Sequence, residues 1–312
     1  MTDPIQTIQS YHANGKLLLC GEYFVLYGAK ALALPLSVGQ QLRVYHVLKT
    51  NSIVWKAFYK NEVWFWCELN PYDFTVIGTS DQQISGTLSK IFRIMRIMNP
   101  GFQPEAGTNL ETLLDTHPQW GFGSSSTLIS LLSQWVGINP FGLNQRAFNG
   151  SGFDIACAMA DGPILFAKNS LVQRVELDYP FAKQLLLVYS GHKKSTGPEV
   201  DSFLKSKTVS APLIQEVSTL TNQFARCRDQ NTFNRLIREH EKIVGQLIGQ
   251  TPVREAFFAD FQGEVKSMGA WGGDFYLISA NEPIVEAKRY FENKGFPTTF
   301  NWTELILNRE TP

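Results

Sequence analysis

The chain has 312 residues, of which 28 are lysine or arginine and 28 are aspartate or glutamate, so its formal net charge is zero. A chain of this length can form one large domain or two, with a hydrophobic core of its own. Without a basic surplus, sequence-independent binding to nucleic acid is not expected. No apolar run reaches the roughly 18 residues that would cross a bilayer, so we expect a soluble globular protein without a membrane partner.

Four cysteines lie far apart in the chain and form no C-x-x-C pair. This spacing argues against a zinc site and against a disulfide framework. The N-terminal segment MTDPIQTIQS has neither the positive start nor the apolar core of a signal peptide. We therefore expect a cytoplasmic protein.

Strand-like patterns dominate the first third of the chain. Apolar or alternating segments predict four strands, at 16–25, 42–48, 53–59 and 63–69. The last two flank Lys60-Asn61, which favours the tight turn of a β-hairpin. We therefore expect this part of the chain to be mostly sheet.

A helix, a strand and a second helix follow in the pattern. Apolar residues recur every three or four positions from 84 to 98, and the helix that they predict begins after Asp81. A predicted strand at 108–114 then leads through Gly121-Phe122-Gly123-Ser124-Ser125-Ser126 into a second helix. This glycine–serine segment is therefore expected where a loop enters a helix.

The second half alternates short strands with amphipathic helices. The predicted strands are 164–167, 171–177, 184–189 and 274–278, and the predicted helices are 233–248 and 283–294. Such a mixture is typical of an α+β layer. We predict two domains, 1–162 and 163–312, with the boundary near Gly162.

Glycine-rich turns joined to apolar elements carry the candidate chemistry. They are Asn14-Gly15-Lys16 with Gly21-Glu22-Tyr23, then Gly121–Ser126, Gly150–Asp154 and Gly269–Asp274. Glycines let a backbone approach a polyphosphate, and the N-terminus of a following helix offers free N–H groups. Each turn also has a plainer interpretation: a loop that caps a helix for Gly121–Ser126, a helix cap for Asp154, a solvated strand edge for Lys16, and a tight turn between two elements for Gly269–Asp274.

In this order the turns resemble the motifs of the GHMP kinase superfamily. The first motif, P-G-K…G-E-H/Y, is similar to Asn14–Lys16 with Gly21–Tyr23, and the second, G-L-G-S-S-A-A, is similar to Gly121–Thr127. The S-G-x-D element matches Ser151–Asp154, and the late glycine-rich motif matches Gly269–Asp274. Within the superfamily the phosphomevalonate and mevalonate kinases are the most similar, the former through G-E-Y and through a late motif that begins with lysine, here Lys266.

The chain departs from the family pattern at several positions. Asn14 stands where proline is usual, Phe122 where leucine is usual, and Trp271 where the late motif has glycine. Ser126-Thr127 replaces an Ala-Ala pair. Leu143-Asn144-Gln145 stands where mevalonate kinases carry a magnesium-binding glutamate, so the resemblance supplies no metal ligand there.

The resemblance implies a mixed α/β (α+β) fold. Its N-terminal, ATP-binding domain would resemble ribosomal protein S5 domain 2, and its C-terminal domain would be ferredoxin-like. The implied reaction transfers the γ-phosphoryl group of ATP, with Mg²⁺, to a small acidic isoprenoid precursor, first of all 5-phosphomevalonate. Alternative acceptors are mevalonate, a sugar or homoserine. An alternative function is that of a nucleotide-binding regulator without catalytic activity. The protein could also form a homodimer.

The resemblance also implies roles for individual residues. Lys16 and Asp154 would be catalytic: Lys16 would offset charge on the transferred group, and Asp154 would act as a base for a hydroxyl acceptor or orient a phosphate acceptor. The nucleotide-binding residues would be Gly121, Gly123, Ser124, Ser125 and Ser126, with Ser125 also holding magnesium.

Acceptor binding is expected from two further groups of residues. From the motifs we expect Glu22, Tyr23, Gly272, Gly273 and Asp274, and from one polar segment His192, Lys193, Lys194, Ser195 and Thr196. That segment follows an apolar strand and offers donors suited to a phosphate or carboxylate, although a solvated turn is an equal alternative. His240 lies on the apolar face of its helix, which favours a packed core residue over a substrate contact.

Overall fold

The computed structural model describes residues 6–48, 50–168, 170–191, 209–269 and 273–308. The chain forms two compact units, and each unit is built from three segments that are not consecutive in the sequence. The first comprises Met1–Gly15, Val38–Pro118 and Gly123–Met159, and the second comprises Lys16–Ser37, Gln119–Phe122 and Ala160–Pro312. Among the residues described, every helix is too short or too polar to span a bilayer. Contact-based units need not follow domain boundaries, so the division into 1–162 and 163–312 stays a prediction.

A mostly antiparallel sheet forms the basis of the first unit. Its strands are β1 (Gln6–Cys20), β2 (Ala31–His46), β3 (Ile53–Tyr59), β4 (Glu62–Leu69), β5 (Val76–Thr79) and β6 (Thr108–Leu114). They are hydrogen-bonded in the order β5-β4-β3-β6-β2, and β1 pairs with β2. Only the β3–β6 pair in this order is parallel. The chain continues through β1 and β2 into the second unit.

Four helices complete the first unit. They are α1 (Gln82–Met98), α2 (Ser124–Val136), α3 (Pro140–Phe148) and α4 (Phe153–Ala158). Asp81 caps α1 by accepting the main-chain N–H groups of Gln83 and Ile84, as the sequence predicts. Apolar side chains of the helices and of the sheet pack into one buried core, in which Phe92 contacts both Trp55 and Trp135.

Two strand predictions in this region have different outcomes. The hairpin is confirmed, and Lys60 and Asn61 at its turn have positive φ angles of 48° and 66°, as type I′ turns require. The strand predicted at 16–25 is wrong at both ends, because β1 begins at Gln6 and stops at Cys20. Gly21, with φ 100°, packs against Ala31 and turns the chain into a 3-10 helix.

The second unit contains a four-stranded antiparallel sheet. Its strands are β9 (Leu185–Tyr189), β10 (Gly263–Met268), β11 (Phe275–Ala280) and β12 (Thr299–Asn301). They are ordered β10-β11-β9-β12, and among the described residues three helices lie between β9 and β10 while one lies between β11 and β12. This order and the helix placement are those of a ferredoxin-like layer. The mixed α/β (α+β) fold class is thereby confirmed.

Further elements complete the second unit, and the two strands among them belong to the sheet that contains β2. These elements are β7 (Ile164–Phe166), β8 (Gln173–Arg174), α5 (Ala211–Arg226), α6 (Gln230–Ile248), α7 (Val253–Phe257), α8 (Ile284–Asn293) and α9 (Trp302–Leu305). Strand β7 pairs with the start of β2 and with β8. Helix α6 packs against β10, and this packing brings polar residues of both elements together in the interior.

The four cysteines are all buried, and none of them forms a disulfide. Burial raises the pKa of both Cys20 and Cys67 to about 12. These two thiols are protonated at neutral pH.

Candidate nucleotide- and acceptor-binding site

Helix α2 begins within the glycine–serine segment. Gly123 occupies the N-cap position in the left-handed conformation, with φ 91° and ψ 35°, which a glycine adopts without strain. It has no side chain to cap the helix, and the first helical hydrogen bond runs from Thr127 N to Gly123 O at 3.0 Å. The N–H groups of the first turn and the positive end of the helix dipole are therefore suited to an anion.

The three serines at this helix start differ in exposure. Ser125 is exposed and Ser124 is half-buried, whereas Ser126 is buried. The Ser126 hydroxyl donates to Gly123 O at 2.8 Å, so it stabilises the shape of the turn. Ser125 is the serine whose hydroxyl is most accessible to a ligand.

Gly121 lies against Asp274 in the second unit. An ideal Cβ atom on Gly121 would stand 1.5 Å from Asp274 Oδ2, so only glycine fits beside this carboxylate. The main chain of Asp274 is held where β11 begins, because its carbonyl accepts the N–H of Ser190 at 2.9 Å. A residue predicted for the nucleotide and one predicted for the acceptor are thus in contact.

Aromatic rings hold the start of the glycine–serine segment on the four-stranded sheet. Phe122 stacks on Phe275 with ring centroids 4.5 Å apart, and Trp120 lies edge-on to Phe300 at 5.2 Å. Tyr189 contacts both Trp120 and Phe275. The phenylalanine that replaces the family's leucine at position 122 is therefore part of an aromatic cluster, and Trp120 packs there as well.

Lys16 lies within β1, ten residues after its first residue, Gln6, and is half-buried. Its main-chain N–H donates to the carbonyl oxygen of Phe122 at 2.9 Å. This hydrogen bond joins β1 to the glycine–serine segment at the lysine itself. Lys16 is therefore inside its strand and half-buried, and not a solvated residue at the strand start.

Asp154 is the second residue of α4 and is half-buried. The interpretation of Asp154 as the helix cap is wrong, because Gly152 occupies the N-cap position with φ 93° and no side chain caps it. In the same unit, the segment that replaces the family's glutamate is turned inward: Leu143 is fully buried and Asn144 is 8% exposed. A Cβ atom on Gly150 would stand 2.8 Å from Asn144 Nδ2, so Asn144 packs beneath the turn before Asp154.

Glu22 lies in the interior. Its carboxylate accepts a hydrogen bond from Lys266 Nζ at 2.6 Å, and its second oxygen lies 3.0 Å from His240 Nε2. Burial alone would raise the pKa of Glu22, but Lys266 and His240 outweigh this effect and hold the pKa below its usual range. Tyr23 follows with φ 62° and is half-buried.

Sequence reasoning placed His240 in the core, and the structure agrees, since the side chain is 1% exposed. It did not assign a role to Lys266 or Glu241, which are also buried. Lys266 was visible only as the lysine that begins the late family motif. Nothing in the local pattern marks Glu241, because it lies on a helix rich in charged residues.

Several predicted residues lie outside the described part of the chain. They are His192, Lys193, Lys194, Ser195, Thr196 and Gly272. Gly273 is described and directly precedes Asp274. Within the described ranges, no group of three histidine, cysteine, aspartate or glutamate side chains could hold a metal ion.

Comparison with known proteins identifies relatives by structure alone. No protein-family model and no curated protein sequence matches the chain. The crystal structure of Methanococcus jannaschii mevalonate kinase is similar over 98% of this chain and 100% of that one, with a TM-score of 0.71 and 16% identity. Streptococcus pneumoniae phosphomevalonate kinase, solved in complex with phosphomevalonate and AMPPNP, is similar over 97% of this chain and 99% of that one, with a TM-score of 0.66 and 15% identity.

A third similar structure is Lactococcus lactis galactokinase complexed with galactose. It covers 97% of this chain and 94% of its own, with a TM-score of 0.62 and 12% identity. All three proteins are GHMP kinases. The likeness extends over nearly the whole chain in each case, as the order of the sequence motifs predicts. The chain therefore has the fold of the GHMP kinases.

Proposed function

We propose that this protein is an ATP-dependent kinase that phosphorylates a small acidic isoprenoid precursor, with 5-phosphomevalonate as the acceptor. The observation that carries the proposal is the hydrogen bond from Lys16 N to Phe122 O. It places the candidate charge-stabilising lysine beside a glycine segment that enters a helix N-terminus. Phosphoryl transfer requires this combination, because positioning and charge stabilisation supply most of the catalysis.

The glycine–serine segment would bind the phosphates of ATP. The main-chain N–H groups at Gly121, Gly123 and Ser124 would donate to phosphate oxygens, and Ser126 would keep the turn in shape through Gly123. The exposed Ser125 hydroxyl would hold Mg²⁺ together with phosphate oxygens, since magnesium commonly binds with few protein ligands. Bound there, the ion would neutralise charge on the transferring group.

Lys16 and Asp154 would carry the transfer step. The Lys16 ammonium would stabilise negative charge that develops on the γ-phosphoryl oxygens. Asp154 would accept a proton from a hydroxyl acceptor. With 5-phosphomevalonate, whose accepting phosphate is largely ionised at neutral pH, Asp154 would instead orient Lys16 and the acceptor.

The acceptor side would be built from the turn at Gly21–Tyr23 and from the late motif. Tyr23 would contact the acceptor there, while Glu22 is buried beneath it. Gly272, Gly273 and Asp274 would border the acceptor from the late motif. Phosphomevalonate carries a carboxylate and a phosphate, and in a chain of zero net charge its counter-charges must be local, as His192–Thr196 could provide.

Release of ADP in the presence of different acceptors tests the proposal. The protein would be assayed with Mg-ATP and 5-phosphomevalonate, mevalonate, galactose or homoserine, each at equal concentration. Faster turnover of 5-phosphomevalonate than of the other three supports the assignment. Faster turnover of mevalonate moves the acceptor to mevalonate, and absence of Mg-ATP binding at millimolar nucleotide contradicts the kinase proposal as a whole.

A nucleotide-binding protein without transfer activity is the second candidate. The buried Leu143 and Asn144 favour it, because they stand where mevalonate kinases carry a magnesium-binding glutamate. Calorimetric binding of Mg-ATP without ADP release for any acceptor would select this function.

A further inference from the structure

A cluster of four ionisable side chains lies in the interior beneath the turn that carries Tyr23. We call it the Glu22 cluster: Glu22, His240, Glu241 and Lys266, each at most 4% exposed. A buried charge is costly unless it is paired and hydrogen-bonded. We therefore examine which parts of the surrounding structure the contacts of this cluster hold in place.

The contacts of Glu22 reach two different elements. Its Oε1 accepts from Lys266 Nζ on β10 at 2.6 Å, and its Oε2 lies 3.0 Å from His240 Nε2 on α6. Lys266 also donates to its neighbour's carbonyl, Ser267 O, at 2.9 Å, which fixes the ammonium group. The Glu22 carboxylate is thus hydrogen-bonded to Lys266 on one side and packed against His240 on the other.

Side chains provide the connection between this turn and β10. Strand β1, which leads into the turn, and strand β10 belong to different sheets, so no main-chain ladder joins them. Helix α6 is itself attached to β10 by Glu241, whose Oε1 accepts the Ser267 N–H at 3.2 Å. The ion pair between Lys266 and Glu22 therefore links the turn to the strand that leads directly into the late glycine motif.

The turn needs such an anchor because its backbone is unusual. Gly21 has φ 100° and Tyr23 has φ 62°, and a tyrosine in this region is strained. Strained residues persist only where the surroundings over-determine them, and they concentrate at functional sites. The interior holds the turn through Glu22, between the two, and through the Gly21 N–H, which donates to His240 Nε2 at 3.4 Å.

We propose that Lys266 and His240 are positioning residues for acceptor binding: they hold Glu22, and through it they keep Tyr23 in the conformation that contacts the acceptor. The inference rests on the proposed function, since Tyr23 is assigned to the acceptor there. Glu22 acts through its neighbour and does not touch the substrate. Loss of the pair should therefore weaken acceptor binding while nucleotide binding is retained.

The double variant Glu22→Gln/Lys266→Met tests this inference, because it removes both charges together and leaves neither one buried alone. We expect the KM for 5-phosphomevalonate to rise about tenfold or more, and the dissociation constant of Mg-ATP to stay within about twofold. Hydrogen exchange at the amides of Val25 and Leu26, which donate to Gly21 O and Tyr23 O, should accelerate about tenfold. Exchange in α1, in the other unit, should not change.

A control removes an ion pair between α6 and β10, the two elements that contact Glu22. Arg238 on α6 is exposed and pairs with the largely buried Glu264 on β10, which also lies 3.8 Å from Arg254 Nε. The variant Arg238→Met/Glu264→Gln should retain the wild-type acceptor KM and the wild-type exchange of the turn. A rise in KM in both double variants would assign the effect to α6–β10 packing and would overturn the positioning role.

Wild-type KM and wild-type exchange in the Glu22→Gln/Lys266→Met protein would also overturn the inference. If that protein does not fold, His240→Gln and His240→Leu decide the matter. A glutamine at position 240 can still donate to Glu22, so the amides of the turn should exchange slowly in His240→Gln. A leucine cannot donate, so they should exchange faster in His240→Leu. Equal exchange rates in the two variants overturn the inference. If the wild type releases no ADP with any acceptor, the proposed function fails, while the exchange measurements still decide on the anchoring of the turn.

Discussion

The carboxylate of Asp274 lies over the Cα atom of Gly121, since an ideal Cβ at Gly121 would stand 1.5 Å from its Oδ2 and 2.3 Å from its Cγ. No side chain can be added at position 121 unless Asp274 turns away. The geometry of the glycine–serine segment and the direction of this carboxylate are therefore coupled.

Replacing Gly121 with alanine should lower the affinity for Mg-ATP about tenfold, because the new methyl group displaces Asp274 and enters the path of the phosphates. Isothermal titration calorimetry measures the change. Gly86, which lies in α1, is the matched control, since a Cβ atom added there would have no other atom within 4 Å. Gly86→Ala should leave nucleotide affinity unchanged and stabilise the protein by up to about 1 kcal/mol. Equal affinities in the two variants would contradict the coupling.

Lys16→Met and Asp154→Asn should each reduce kcat about a hundredfold or more, with Mg-ATP affinity and melting temperature nearly unchanged. Each change removes one charge that we place at the transferring group. Steady-state ADP release gives kcat, and circular dichroism monitors folding. Lys56, exposed on β3, offers a control in Lys56→Met, which should behave as wild type. Full activity of either site variant would exclude that residue from catalysis.

Phe122→Leu restores the residue that the family usually carries and should still destabilise this protein. The change removes the ring that stacks on Phe275 at 4.5 Å, and such a pair contributes about 1 kcal/mol beyond its buried area. The expected fall in melting temperature is roughly 2–4 °C. Phe148, which is 43% exposed on α3, provides the control Phe148→Leu, with no change expected. An unchanged melting temperature for Phe122→Leu would show that the aromatic cluster does not depend on this ring.

Glu241 should make the protein less stable as pH rises from about 6 to 8. Burial raises the pKa of Glu241 to about 8, well above its value in an unfolded chain. Between the two pKa values the folded state binds the proton and the unfolded state does not, so stability decreases by up to about 1.4 kcal/mol per pH unit.

Glu241→Gln, which mimics the protonated carboxyl group, should remove this part of the pH dependence. Denaturant unfolding at pH 6, 7 and 8 measures it, with Glu239→Gln, exposed on the same helix, as the control. An identical slope in wild type and Glu241→Gln would mean that Glu241 is ionised in the folded protein throughout this range.

Local patterns in the sequence predicted the elements whose determinants are themselves local. Helix α1 has regular apolar spacing and the Asp81 cap, and the β3–β4 hairpin has a turn pair that tolerates positive φ. Strand β10 was missed because all six of its residues are buried, so polar Lys266 and Ser267 do not alternate between core and solvent. The resemblance to a known family, rather than periodicity, predicted the overall fold.

The candidate site could be predicted in part for the same reason. The glycine–serine segment at the start of α2 and the half-buried Asp154 follow from motifs that are continuous in the chain. The pairing of Glu22 with Lys266 joins residues 244 positions apart, and no local pattern reports such a contact. The contact of Gly121 with Asp274 depends likewise on how the second unit packs.

Because all four cysteines are buried, the rate at which they are alkylated reports on unfolding of the protein. A thiol reacts with alkylating reagents only as the exposed thiolate, and neither exposure nor deprotonation is available to Cys20 and Cys67 in the folded state. These two thiols can therefore be alkylated only when the surrounding structure opens, and the alkylation rate measures how often it opens. Mass spectrometry of individual cysteine peptides would then separate openings of the first unit, at Cys67, from those of the second, at Cys20 and Cys227.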